Sequence, residues 1–172
     1  MSEGYVRVML AGAVACPRGQ RHRKDAKDAK IREGKMPMRA DYVSDAEEEI
    51  GRAVVHAAFT VHRRLGPGLL ESVYETCFCY ELQKAGLSAE RQAKVPLVYD
   101  DLTFDVGFRL DVLVHDRVIC ELKSVETIHP ISRAQILTHL RLCDKRLGFL
   151  INFNVPLIKD GIERFVLAPS SS

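Results

Sequence analysis

The sequence contains no CxxC pair, no internal repeat, no apolar run of membrane-spanning length and no strong excess of either charge. Its five cysteines, Cys16, Cys77, Cys79, Cys120 and Cys143, are odd in number and mostly set in apolar patterns. Cys77-Phe-Cys79 on a helix would point its two thiols to different faces. These facts argue against a disulfide framework, a zinc centre or an iron–sulfur cluster, and for reduced thiols in a cytoplasmic setting. The lack of a long apolar run excludes a transmembrane helix. The apolar stretch at 8–16 is short and preceded by Arg7 against Glu3, so a secretory signal is not expected. What remains is an ordinary balance, 47% apolar and 28% charged over 172 residues. That suits one soluble globular domain with its own core.

Charge is unevenly spread along the chain. Residues 1–40 hold 10 Lys/Arg against 4 Asp/Glu, a net of +6, and include the run Arg18-Gly-Gln-Arg-His-Arg-Lys24. With no sustained period they read as a basic, disordered tail preceding a single domain at 41–172. That domain holds 15 Lys/Arg and 19 Asp/Glu, a net of −4. Bulk charge therefore gives no sign of a nucleic-acid binder.

The periodicity of the domain is clear. Ser44-Asp-Ala-Glu47 is a capping-box pattern, followed by Ile50, Val54, Ala57, Ala58, Val61 and Leu65 at helical spacing up to the Gly66-Pro67-Gly68 stop. A second helix is predicted over 70–85, with Val73, Cys77, Leu82 and Ala85 on its buried side and Gly86 ending it. Strands follow at 90–99, 104–114 and 117–124, then a helix at 132–143 with Pro130 at its start, and strands at 146–153 and 162–167. The order ααβββαββ predicts an α/β fold with a mixed central sheet flanked by helices.

The second and third strands carry the most informative residues, Asp111 and Cys120-Glu121-Leu122-Lys123. Leu110, Val112 and Val114 form one apolar face, and Val118, Cys120 and Leu122 another. A two-residue loop at His115-Asp116 would oppose Leu110 to Glu121. A three-residue loop, His115-Asp116-Arg117, opposes Val112 to Cys120 and Asp111 to Glu121, and both faces then agree. Because strand side chains alternate, Glu121 and Lys123 share the face that Asp111 reaches. Two acids and a lysine in an apolar segment are costly unless paired or used. One reading is a site for a divalent ion and an activated water; the other is a cross-strand ion pair contributing about 0.2–1 kcal/mol.

Other residues bear on that choice. Glu71 falls in the first turn of the second helix, where the dipole favours a carboxylate, and Tyr74 shares its face three residues on. Gln135 and His139 lie four apart on one face of the third helix. Arg133, Arg141, Lys145 and Arg146 flank that helix and are candidates for phosphate contact, or for its solvated side.

Gly68-x-x-Glu71-x-x-Tyr74, Arg109-Leu-Asp111, Glu121-Leu-Lys123, Gln135-Ile-Leu-Thr-His139-Leu and Leu150-Ile-Asn-Phe-Asn154 occur in that order. Together they resemble the GxxExxY family of the PD-(D/E)XK nuclease-like superfamily, over about residues 46–167. The resemblance implies a restriction-endonuclease-like core with its site at a splayed hairpin. Asp111 and Glu121 then match metal-binding acids for Mg²⁺ or Mn²⁺, Lys123 the catalytic lysine, Glu71 an acid from the first core helix, and Gln135 a site-completing glutamine. His139 departs from the tyrosine usual there. The implied activity is metal-dependent hydrolysis of nucleic acid, with DNA ahead of RNA. The rival reading is a nucleic-acid- or partner-binding module that keeps the fold without turnover.

Overall fold

The computed structural model describes residues 42–168, so the basic segment at 1–40 lies outside the described residues. In chain order the elements are α1 (Asp45–Leu65), α2 (Glu71–Lys84), β1 (Ala89–Tyr99), β2 (Leu102–Val114), β3 (Val118–Lys123), α3 (Pro130–Leu142), β4 (Leu147–Asn152), a 3₁₀ turn (Ile158–Asp160) and β5 (Ile162–Val166). The α/β order is the one the periodicity predicts. The periodicity does not mark the 3₁₀ turn.

Local chemistry explains the boundaries. Ser44 and Glu47 form the reciprocal capping box that opens α1. Gly66 and Gly68, with φ of 69° and 93°, supply the left-handed backbone that ends it. His129 caps α3 by accepting the N–H of Ile131, with Pro130 just inside the helix.

The five strands form one mixed sheet in the order β1-β2-β3-β4-β5. β3 and β4 are parallel, with α3 as the crossover, and the other neighbours are antiparallel. β4 is buried throughout and β3 at all but Lys123, which is half-buried, as expected for a parallel pair covered on both faces. One core cluster, with Val112, Val114, Val118, Cys120 and Leu122, lies under α1 and α2. A second, with Leu113, Ile119, Leu140 and Cys143, lies under α3.

Two expectations are corrected. The buried face of α2 consists of Tyr74, Glu75, Phe78, Cys79 and Leu82, whereas Val73 and Ala85 are exposed and Cys77 is half-buried. Two polar side chains turn inward there because each finds partners. Glu75 is held by Arg91 at 2.6 Å and Gln92 at 2.9 Å, both from β1. Leu110 joins the α3-side cluster along with Leu113, so it does not share a face with Val112 and Val114. Strict alternation fails at Asp111, opposite the position of Gln92, whose φ of 50° is left-handed.

Candidate active site

The hairpin from β2 to β3 turns through His115-Asp116-Arg117 and pairs Val114 with Val118 and Val112 with Cys120. This is the register that patterning requires. The ladder ends there, and the next rung, expected between Asp111 and Glu121, does not form. Instead the Asp111 carboxylate reaches across, and its Oδ2 accepts the N–H of Leu122 at 3.0 Å. A side chain thus takes the place of a strand carbonyl, and the two strands part at the point where charge collects.

The Lys123 ammonium lies in that opening. Its Nζ is 2.9 Å from the Leu122 carbonyl oxygen, 3.4 Å from Asp111 Oδ2 and 3.7 Å from Glu121 Oε2. Three oxygens from two strands therefore converge on one cation. Burial works against the charge of Lys123, but Asp111, Glu121 and Glu71 outweigh it and raise its pKa above the ordinary lysine value. The lysine is accordingly a cation and a hydrogen-bond donor at neutral pH.

Glu121 is nearly fully buried, with 2% of its side chain exposed. Burial raises its pKa, and the hydrogen bond with His139 is the strongest opposing influence. Nδ1 of His139 lies 2.8 Å from Glu121 Oε1, and whenever Glu121 is ionised its carboxylate only accepts, so that Nδ1–H is then the donor. The imidazole is itself fixed by stacking on Phe108, with ring centroids 4.6 Å apart and planes 13° from parallel. One oxygen of Glu121 thus serves His139, and the other faces Lys123.

Glu71 begins α2 and is half-buried. Burial raises its pKa and Asp111 adds to the rise, while Lys123 and the Ser124 backbone N–H oppose it. Electrostatically it belongs to the same group. Tyr74 does not pair with Glu71. Its hydroxyl donates to the Gly66 carbonyl at 2.6 Å and accepts the Leu69 N–H at 3.1 Å, while its ring stacks on Phe153 at 4.6 Å. It pins the turn from which Glu71 projects. Gln135 is exposed on α3, one turn before His139.

The four basic candidates do not join this group. Arg133 makes a two-pronged pair with Glu163, at 2.7 and 2.6 Å. Lys145 binds the Asp116 carbonyl at 2.6 Å and its carboxylate at 2.9 Å, and Arg146 lies 3.4 Å from Asp144. Among the described residues Arg141 reaches only Thr138, at 3.5 Å. Lys145 and Arg146 also precede Leu147, which pairs with Val118 at the start of β3. Glu121 and Lys123 are at its other end, about 10–16 Å further along the strand.

One further residue contributes that sequence reasoning gave no role. Asn152, buried at the end of β4, accepts the N–H groups of Val125 and Asn154 and donates to the Val125 carbonyl. It ties the chain leaving β3 to the end of β4. An asparagine between Ile151 and Phe153 in a buried strand was the available signal.

A family model described as the PD-(D/E)XK nuclease superfamily matches residues 48–165, from α1 to β5. The chain belongs to that superfamily, and its five-stranded mixed sheet with helices on both faces is consistent with the superfamily's core. No curated protein and no solved structure matches it significantly. Among the described residues, no group of three or more His, Cys, Asp or Glu side chains is arranged to hold a metal ion, and no helix is long and apolar enough to cross a membrane.

Proposed function

We propose that this domain is a Mg²⁺- or Mn²⁺-dependent nuclease hydrolysing phosphodiester bonds, with DNA as the preferred nucleic acid. The observation that carries the reading is the convergence of Asp111 Oδ2, Glu121 Oε2 and the Leu122 carbonyl on one cation, the Lys123 ammonium. Carboxylate and carbonyl oxygens are the hard donors that Mg²⁺ and Mn²⁺ take, and either ion completes its shell with water. That set is two carboxylates and a carbonyl, with Glu71 as a further acid beside it.

Asp111, Glu121 and the Leu122 carbonyl would hold the ion, and the Lys123 side chain, 20% exposed, has room to withdraw toward solvent. A bound divalent ion lowers the pKa of a water and offsets charge on the scissile phosphate. Lys123, as a cation, orients water and phosphate oxygens by donating hydrogen bonds. Glu71, whose pKa is raised, is suited to receive the proton of the attacking water. His139 holds Glu121 in its rotamer through the buried hydrogen bond. Gln135, at the exposed rim of α3, contacts substrate or its water. The Gly68, Glu71 and Tyr74 pattern supports placing the chain with the GxxExxY proteins of the superfamily.

Purified protein screened with Mn²⁺ or Mg²⁺ against single-stranded, duplex and branched DNA and RNA tests this. Cleavage is expected for the wild type and not for Glu121→Ala or Lys123→Ala. Equal trace activity in all three would remove the hydrolase reading in favour of a binding module.

A further inference from the structure

A groove of about 610 Å³ runs between residues 52–63 of α1 and the turn at Ile158–Asp160, and it shares no lining residue with the carboxylate site. α1 contributes Arg52, His56, Phe59 and Arg63 at steps of four, three and four residues. That spacing makes one stripe along about 16 Å of helix. Leu157, Ile158 and Lys159 form the opposite wall. The two walls are fastened together, with His62 Nε2 2.8 Å from the Val155 carbonyl oxygen.

The floor is apolar and the rim is cationic. Phe59 is 44% and Leu157 55% exposed, two large apolar side chains left in water on facing walls. Arg52, Arg63 and Lys159 make no ion pair with a carboxylate among the described residues, and no Asp or Glu lines the groove. Elsewhere pairing is common: Arg64, Arg91, Arg133, Lys145 and Arg146 each lie within 3.4 Å of an acid. In a domain with a net charge of −4, three unpaired cations around one apolar floor make a local field that selects anions.

The occupant must satisfy both the floor and the rim. A nucleic-acid strand would satisfy the cations, but strand-binding surfaces present successive aromatic platforms to the bases. Here Phe59 is the one Phe, Tyr or Trp in the lining; His56, His62 and Thr60 lie beside it, and the other apolar lining residues are aliphatic. An amphipathic peptide bearing carboxylates beside apolar anchors satisfies both, in the manner of helix-in-groove recognition. We propose that this groove docks an acidic amphipathic segment of a partner protein. Its apolar side chains pack on Phe59 and Leu157, and its carboxylates meet Arg52, Arg63 and Lys159. This inference stands independently of the nuclease reading, because it uses none of the same residues.

The test selects phage-displayed random peptides of about 16 residues, long enough to follow the helical stripe, against the full chain. Enriched peptides are expected to combine Asp or Glu with spaced Leu, Ile or Phe. A labelled synthetic copy should bind in fluorescence anisotropy. The double charge reversal Arg52→Glu/Arg63→Glu should weaken it roughly tenfold or more. Leu157→Asp, at an exposed position, should do the same, and both variants should keep the wild-type melting temperature. Three results would overturn the proposal. The first is the absence of an acidic–apolar consensus, or equal binding by both variants. The second is a single-stranded oligothymidylate that needs Arg52 and Arg63 and is not displaced by the peptide, which makes the groove a nucleic-acid track. The third is a dimer in sedimentation that Leu157→Asp dissociates, which makes the occupant a second copy.

Discussion

Glu121 and His139 meet between β3 and α3, where Nδ1 lies 2.8 Å from Oε1 and both side chains are at least 93% shielded from solvent. The contact divides the carboxylate in two, one oxygen committed to the imidazole and the other directed toward Lys123. The imidazole reaches Glu121 from the third helix, so that this contact ties α3 to β3.

Removing that donor leaves a buried carboxylate without its hydrogen bond. His139→Ala is expected to lower stability by about 1–3 kcal/mol and to raise the Glu121 pKa further. Urea unfolding at neutral pH measures the first effect. A loss within a few tenths of a kcal/mol would show that Glu121 does not depend on the imidazole.

Burial raises the Glu121 pKa above its ordinary value of 4.5, so the folded state binds this proton more tightly than the unfolded chain. The resulting penalty is absent below the unfolded pKa. It grows as pH rises through the folded pKa and is full above it. In metal-free protein Glu121→Gln should therefore be more stable than wild type at neutral pH, with the gain vanishing toward pH 4.5. Glu71→Gln should shift stability in the same direction. Melting curves in chelator across that range check the sign, and a Glu121→Gln protein that melts below wild type at neutral pH contradicts it.

Tyr74 is fully buried and bridges Gly66 and Leu69 through one hydroxyl. Tyr74→Phe keeps the stack on Phe153 and loses both hydrogen bonds, at an expected cost of about 1–3 kcal/mol. The turn that presents Glu71 should loosen as well, seen as faster amide exchange at Leu69. Unchanged exchange would confine the tyrosine's role to core packing.

Lys123→Met removes the cation on which three oxygens converge. Without metal the variant should be less stable than wild type, since Asp111 and Glu121 lose their shared partner. Mg²⁺ or Mn²⁺ should then raise its melting temperature by more than it raises that of the wild type. Equal metal-induced shifts would mean that the ammonium and the divalent ion do not share the oxygens.

Much of this arrangement was legible in the sequence because alternation and turn length are local rules. The three-residue loop followed from asking that Val112 and Cys120 agree in face, and His115 and Asp116 adopt the positive φ of 53° that closes it. The misses are tertiary. Glu75 reads as surface until Arg91 and Gln92 arrive from β1, and that shifted the inferred buried face of α2. Leu110 changes faces because the strand turns out of phase beside Asp111, which no pattern of apolar residues records. Arg133 and Lys145 looked free until Glu163 and Asp116, 30 and 29 residues away, proved to be their partners. The Asp111 bond to the Leu122 N–H, which opens the strands, takes the place of the Asp111–Glu121 rung that patterning predicts.

In the proposed function the opening between β2 and β3 holds a divalent cation. Calorimetric titration of Mn²⁺ into the wild type, Asp111→Asn and Glu121→Gln tests it most directly. Saturable binding in the wild type, lost or severely weakened in both variants while each remains folded, is the expected result. No binding to the wild type, or the same isotherm for all three proteins, would contradict it.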